Sequence, residues 1–241
     1  MPAKVLWPER ESLYDLMLLR ATIGVAAFES EKQNNPVDPD ACEWPPEYFD
    51  WPGLWFDEWP TDVRWACRTI AIDPSKGKDS KHGDYSAIIR FGVTWSGVEY
   101  VEADLGRRTV DRICADAAMH VCSFRPDGLY LEPTAFQELM ATPLDAALIA
   151  AGVGVTVHMD EDTANKVVRI RRLTEPLCQR RMRFKRRSPK TTLCVDQFKD
   201  FPNGAHDDGP DGVEMARRLS IKLITAGNGG NNAGSTKRLG A

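Results

Sequence analysis

The sequence predicts an α/β protein: a mixed sheet with helices on both faces, preceded by an arm rich in Trp and Pro. Three observations predict it. WACRTIAID (65–73) is an apolar run that ends at a carboxylate, as buried strands do, and DGLYLEPT (127–134) repeats the pattern in a shorter form. DYSAIIRFGVTW (84–95) and GVEYVEADL (97–105), joined by a short Ser-Gly turn, read as a hairpin. From residue 110 onward, helical periodicity alternates with short strands, the pattern of parallel pairing through helical crossovers.

The elements follow in order. Ser12 is a cap for a helix or helix pair over 12–33, with Leu13, Leu16, Met17 and Leu19 at helical spacing. Asn, Pro and Asp then break the helix. Trp44, Trp51, Trp55 and Trp59 crowd an irregular connector whose aromatics must pack on something. Thr109 caps a helix over 110–124, in which Ile113, Ala117, Met119 and Val121 are expected to share a buried face. Residues 135–152 read as a helix that Pro143 can split. A strand is expected at 154–160 and helices over 163–181 with a second start near Pro176. A short strand at 181–186, a helix over 191–201 and a final helix beginning near 207 complete the series. The Gly- and Asn-rich stretch 226–241 lacks apolar bulk and reads as a disordered tail. The domain expectation is therefore an arm at 1–64, an α/β domain at 65–225 and a tail at 226–241.

Composition bounds the function classes. The chain has 241 residues, 42% of them hydrophobic, enough for one large core. No apolar run is long enough to span a membrane, and the charged opening stretch has no signal-peptide h-region. Cys42, Cys67, Cys114, Cys122, Cys178 and Cys194 form neither CxxC nor a zinc cluster, so reduced thiols and a cytoplasmic protein are expected. Net charge is -4, yet residues 166–190 hold eleven Lys or Arg and one Glu. Such a stripe is either a solvated helix face or the footprint of a polyanion.

The acidic residues are the other concentrated feature. FPNGAHDDGPDG (201–212) sets His206, Asp207, Asp208 and Asp211 together. Crowded carboxylates repel unless a cation offsets them. Asp73 ends the first strand and Glu132 the fourth, while Asp207 and Asp208 stand at the head of the last helix. If the first and fourth strands are neighbours, these carboxylates meet beyond the strand ends, where ligands of α/β sheets gather. A hard-oxygen set of this kind suits Mg²⁺ or Mn²⁺ rather than zinc. Taken singly, each Asp also serves as a turn, cap or macrodipole residue.

Four segments, RTIAIDPSKGKDSKHGDYSAIIRFG (68–92), GLYLEPTAFQELM (128–140), NKVVRIRRLTEPL (165–177) and FPNGAHDDGPDGVEMA (201–216), taken in order, resemble the nuclease domain of phage large terminase subunits. Residues 4–36 resemble the segment that joins the terminase ATPase to its nuclease. The resemblance implies a ribonuclease H-like fold and metal-dependent cleavage of double-stranded DNA during viral packaging. It implies two Mg²⁺ or Mn²⁺ ions, with Asp73 bridging, Glu132 as second ligand and Asp208 or Asp207 as third. Asp84 matches an auxiliary acidic position and His206 a supporting one. Lys166 and Arg169 match a basic pair facing DNA phosphates, and Arg172, Arg180 and Arg183 extend the basic stripe. The partners it implies are the ATPase part, the small terminase subunit and the portal.

Two departures stand out. No GxxxxGK[ST] loop occurs, so the residues at hand include no phosphate-binding loop for ATP. Gly209-Pro210 follows the acidic pair where an aliphatic residue is more usual, which predicts a late helix start and a shifted Asp208. Alternative readings are a catalytically silent docking module of the packaging motor, gripped through the Trp/Pro arm, or another ribonuclease H-like nuclease such as a junction resolvase.

Overall fold

The computed structural model describes residues 10–23, 42–74, 85–133, 139–159, 162–228 and 236–240. Among them, eight strands form one sheet: β1 (Trp55–Phe56), β2 (Trp65–Asp73), β3 (Ser86–Thr94), β4 (Glu99–Gly106), β5 (Gly128–Leu131), β6 (Val155–His158), β7 (Met182–Lys185) and β8 (Thr236–Leu239), in the order β1-β7-β4-β3-β2-β5-β6-β8. The helices are α1 (Leu13–Ile23), α2 (Val110–Phe124), α3 (Ala141–Ala150), α4 (Lys166–Ile170), α5 (Thr174–Cys178), α6 (Pro189–Asp200) and α7 (Asp208–Asn228). None is long and apolar enough to cross a membrane.

β2, β3 and β4 form an antiparallel meander, whereas β5 joins β2, β6 joins β5, and β7 joins β4 in parallel. Side-chain alternation divides the core in two. Ile70, Ile72, Ile88, Leu129 and Leu131 face α2 and α3, while Ala71, Ala87, Ile89, Phe91 and Val101 face α6 and α7. Both faces are therefore covered, which is why β2 reads as a nearly unbroken apolar run. The Thr69 hydroxyl donates to the Ala216 carbonyl at 2.8 Å, tying β2 to the middle of α7.

Local chemistry explains most boundaries. The Thr109 side chain accepts from the Arg112 N–H, and α2 ends where Arg125 turns left-handed (φ 51). Ser12 accepts from the Asp15 N–H at 3.2 Å and donates to the Asp15 carboxylate at 2.7 Å, a reciprocal cap for α1. The α-helix of this region begins at Ala141, so Pro143 lies in its first turn, where a missing N–H leaves no α-helical bond unmade; Leu139 and Met140 just before it are π-helical, and 134–138 lie outside the described residues. The same argument corrects the late start expected for α7. That helix begins at Asp208, and Pro210 falls in its first turn, where N–H groups have no intrahelical acceptor.

The aromatics of residues 44–64 pack on the domain, as the Trp-rich connector requires: Trp44, Phe49 and Leu54 are buried in the α6/α7 core, and Phe56 is buried too, so this stretch does not stand off the domain. Trp44 stacks on Phe201 (5.2 Å between centroids), approaches Phe198 at 5.4 Å and donates its indole N–H to Thr174 at 2.8 Å. β1 adds a parallel edge strand to β7, with the Leu54 and Phe56 carbonyls accepting from Phe184 and Arg186 at 2.7 Å each. The driving force is the large apolar area of these rings, which water disfavours. Nor is the C-terminal stretch wholly tail. Residues 226–228 end α7, and β8 pairs antiparallel with β6, burying Leu239. The Gly240 N–H donates to Asp145 at 2.9 Å and completes the anchor. In α1, by contrast, Leu13, Tyr14, Met17 and Leu18 are exposed.

This contrast predicts unequal stability effects. Trp44→Ala should cost about 3–5 kcal/mol in denaturant unfolding, whereas Tyr14→Ala should change it by less than about 0.5 kcal/mol.

Candidate metal centre

β2 and β5 run parallel, with Ile72 opposite Leu131. The next residue of each strand is Asp73 or Glu132, so the two carboxylates leave the sheet side by side. α7 reaches the same edge by pressing its first turn against the sheet and α6. A Cβ on Gly209 would stand 2.7 Å from the Cys194 sulfur, and one on Gly212 would stand 2.8 Å from Ile89. The Gly209 N–H donates to the Gln197 side chain at 2.7 Å. The glycines of HDDGPDG are thus what lets the helix start sit close enough to bring Asp208 and Asp211 to Asp73.

The electrostatics register this convergence. The Asp73 carboxyl is pushed up to about 7, first by burial, then by the negative charge of Asp211 against partial relief from Lys166, and further by Asp208 and Glu132. Asp211 is itself 3% exposed and Asp208 7%. Burial also raises the Asp211 carboxyl, opposed by Lys166 and Arg169. Asp211 is the carboxylate that acts most strongly on Asp73, whereas the family resemblance points to Asp208 or Asp207 as the third ligand. Its signal in the sequence is spacing: Asp211 follows Asp208 by three residues and Asp207 by four, which places it on the same side of a helix.

The other predicted residues divide into groups. Asp207 is half-exposed and pairs with Lys166 at 2.7 Å. His206 lies 3.8 Å from Asp208 through Nδ1 and meets the Tyr85 ring edge-on at 5.0 Å, and the Arg107 guanidinium lies over the same Tyr85 ring at 5.0 Å. Asp84 lies outside the described residues.

The basic residues nearest the centre are engaged with α7. Lys166 also stands 3.5 Å from Asp211, and Arg169 spans both Asp211 oxygens at 3.1 Å each. Arg172 pairs with Glu214 at 2.9 Å and with Asp162. Lys166, Arg169 and Arg172 recur every third residue and match Asp207, just before α7, and Asp211 and Glu214 on it. Arg183 behaves differently. It sits over the Tyr100 ring at 5.6 Å, and Tyr100 pairs with Gly92, which pairs with Arg68, five residues or ~16 Å along β2 from Asp73. Arg180 is exposed beyond the start of β7.

Among the described residues, no three His, Cys, Asp or Glu side chains are arranged to hold a metal ion. The donor set nevertheless fits a hard divalent cation. It consists of carboxylate oxygens, and burial first, then the neighbouring carboxylates, push the Asp73 carboxyl up to about 7.

No protein-family model matches the sequence, and no curated protein matches it. Solved structures do. The human cytomegalovirus terminase nuclease domain, Mn-soaked and inhibitor-bound, superposes with a TM-score of 0.55 at 12% identity, over 74% of this chain and 94% of that one. The same viral domain in another structure gives 0.53 at 10% identity, over 74% and 95%. The chain has the fold of a terminase nuclease domain. The large terminase of bacteriophage HK97 agrees, with a TM-score of 0.51 at 12% identity over 73% of this chain, a match that spans 43% of the HK97 protein. This terminase-type nuclease fold sets the carboxylate cluster at the ends of two adjacent parallel strands.

The raised Asp73 carboxyl has a consequence for stability. A carboxyl whose folded pKa exceeds its unfolded value destabilises the fold as pH rises from about 4, fully so above about 7. In EDTA at pH 8, Asp73→Asn should therefore be more stable than wild type, by on the order of 2 kcal/mol. The difference should vanish near pH 4, as followed by thermal melting across pH.

Proposed function

We propose that this chain is a metal-dependent DNA endonuclease of the terminase type, one that cuts concatemeric viral DNA during genome packaging in the host cytoplasm. The observation that carries the reading is the crowding of Asp73 by Asp211, Asp208 and Glu132 at the carboxyl ends of β2 and β5. The fold and the four sequence segments support it, and so does the manganese in the structure of a similar domain.

Asp73 is central and, with Asp211 and Glu132, would hold Mg²⁺ or Mn²⁺, with Asp208 alongside. Divalent metal held there would supply activation of water and stabilisation of the leaving oxygen of a phosphodiester. The chain's own residues do the rest. Gly209 and Gly212 bring the acidic turn against the sheet, and Gln197 fixes its first N–H. Arg169 holds Asp211 by both oxygens and limits its rotation. His206, edge-on to Tyr85, lies beside Asp208 at the rim. Exposed cations such as Arg180, Arg186 and Arg187 provide sequence-independent phosphate contacts. Double-stranded DNA is the substrate in this reading, and the partners are a terminase ATPase part, small subunit and portal.

The test is incubation of the purified chain with supercoiled plasmid at low salt in Mg²⁺, Mn²⁺ or EDTA. Nicking and linearisation should require metal and should fall at least about 100-fold in Asp73→Asn and in Asp211→Asn, with both variants folded. Full activity of Asp73→Asn, or cleavage in EDTA, would remove the reading.

A further inference from the structure

We propose that Lys166 is the resident counter-ion of the carboxylate centre and competes with divalent metal for it. The inference rests on the metal-binding reading above. Lys166 is the first residue of α4, a five-residue helix whose cap is the Asn165 side chain. A cation at a helix N-terminus is disfavoured by the aligned peptide dipoles, so local helix chemistry does not account for it there. What does is the pairing with Asp207 at 2.7 Å and Asp211 at 3.5 Å, together with its attraction to Asp73. The ammonium thus faces three carboxylates at once. One of them is the residue on which the metal reading centres.

The neighbouring cations show why Lys166 is the displaceable one. Arg169, one turn on, is largely covered, and its Nη2 alone donates to both oxygens of Asp211 at 3.1 Å each. The Lys166 side chain is 39% exposed and carries a compact charge on a flexible stem. Its exposed ammonium has a path into solvent, whereas the Arg169 guanidinium is largely covered against Asp211. In the metal-free protein Lys166 offsets the carboxylate repulsion. A divalent cation at Asp73 and Asp211 must repel it and take over that role. The same lysine also fits a DNA-phosphate contact, and the two roles part in the absence of DNA.

The experiment measures Mn²⁺ binding to the full chain without DNA, by electron paramagnetic resonance of the free ion, for wild type, Lys166→Met and Lys166→Arg. Thermal melting in EDTA is recorded alongside. Removing the charge should tighten Mn²⁺ binding about tenfold, and the arginine variant should stay close to wild type. The methionine variant should melt at a lower temperature in EDTA and gain more from Mn²⁺. A second measurement needs no variant: amine acetylation of wild type, read by mass spectrometry, should label Lys166 more heavily when Mn²⁺ is added. Equal or weaker Mn²⁺ binding by Lys166→Met, or unchanged Lys166 labelling in a wild type that binds Mn²⁺, overturns the inference alone. Absence of Mn²⁺ binding in wild type and methionine variant alike overturns the metal reading, and the inference with it.

Discussion

Repulsion among carboxylates at one end of the sheet is the constraint to which the surrounding structure answers. Asp73 and Glu132 arrive there because β2 and β5 pair in parallel, β2 ending at Asp73 and β5 one residue before Glu132. Asp208 and Asp211 arrive because two glycines let α7 close on the sheet and α6. Placed so close in a partly covered site, these groups cannot all be charged without opposing positive charge. Within the chain that charge comes from α4, whose Lys166 and Arg169 face the acidic side of α7. The geometry of α4 and α7 follows from that requirement as much as from apolar packing.

The same pairing changes the meaning of the basic stripe. Counted along the sequence, residues 166–190 look like one polyanion-binding surface. In three dimensions the stripe splits. Its first part, Lys166 to Arg172, neutralises Asp207, Asp211, Glu214 and Asp162. Its second part lies along and beyond β7, where Arg183 packs over Tyr100 and Arg186 and Arg187 are exposed. The two parts answer to different physics: partly buried ion pairs persist in salt, while exposed phosphate contacts do not.

Much of this architecture is legible in the sequence because local and global signals agree. The meander of β2, β3 and β4 follows from alternating apolar runs around a Ser-Gly turn, and α2 begins at its Thr109 cap. The apolar runs ending at Asp73 and Glu132 also mark where the carboxylates gather. What escapes is structure made by long-range contact. β1 is two residues long and exists through β7, and β8 follows a Gly/Asn-rich stretch but finds the open edge of β6. The burial of Trp44 depends on Phe198, Phe201 and Thr174, more than 120 residues away, as the 130-residue separation from Thr174 shows. Asp211 was visible as a residue but not as the strongest neighbour of Asp73. Pro210 disguises a helix start that sets it three residues past Asp208, on the side facing the sheet.

The central claim is that Asp73 and Asp211 form the heart of a divalent-cation site. Anomalous scattering from crystals of this chain soaked in Mn²⁺ tests it most directly. The account predicts a manganese peak between the carboxylates of Asp73 and Asp211, within reach of Glu132. A soaked crystal with no peak there, or with manganese bound only at other carboxylates, would contradict it.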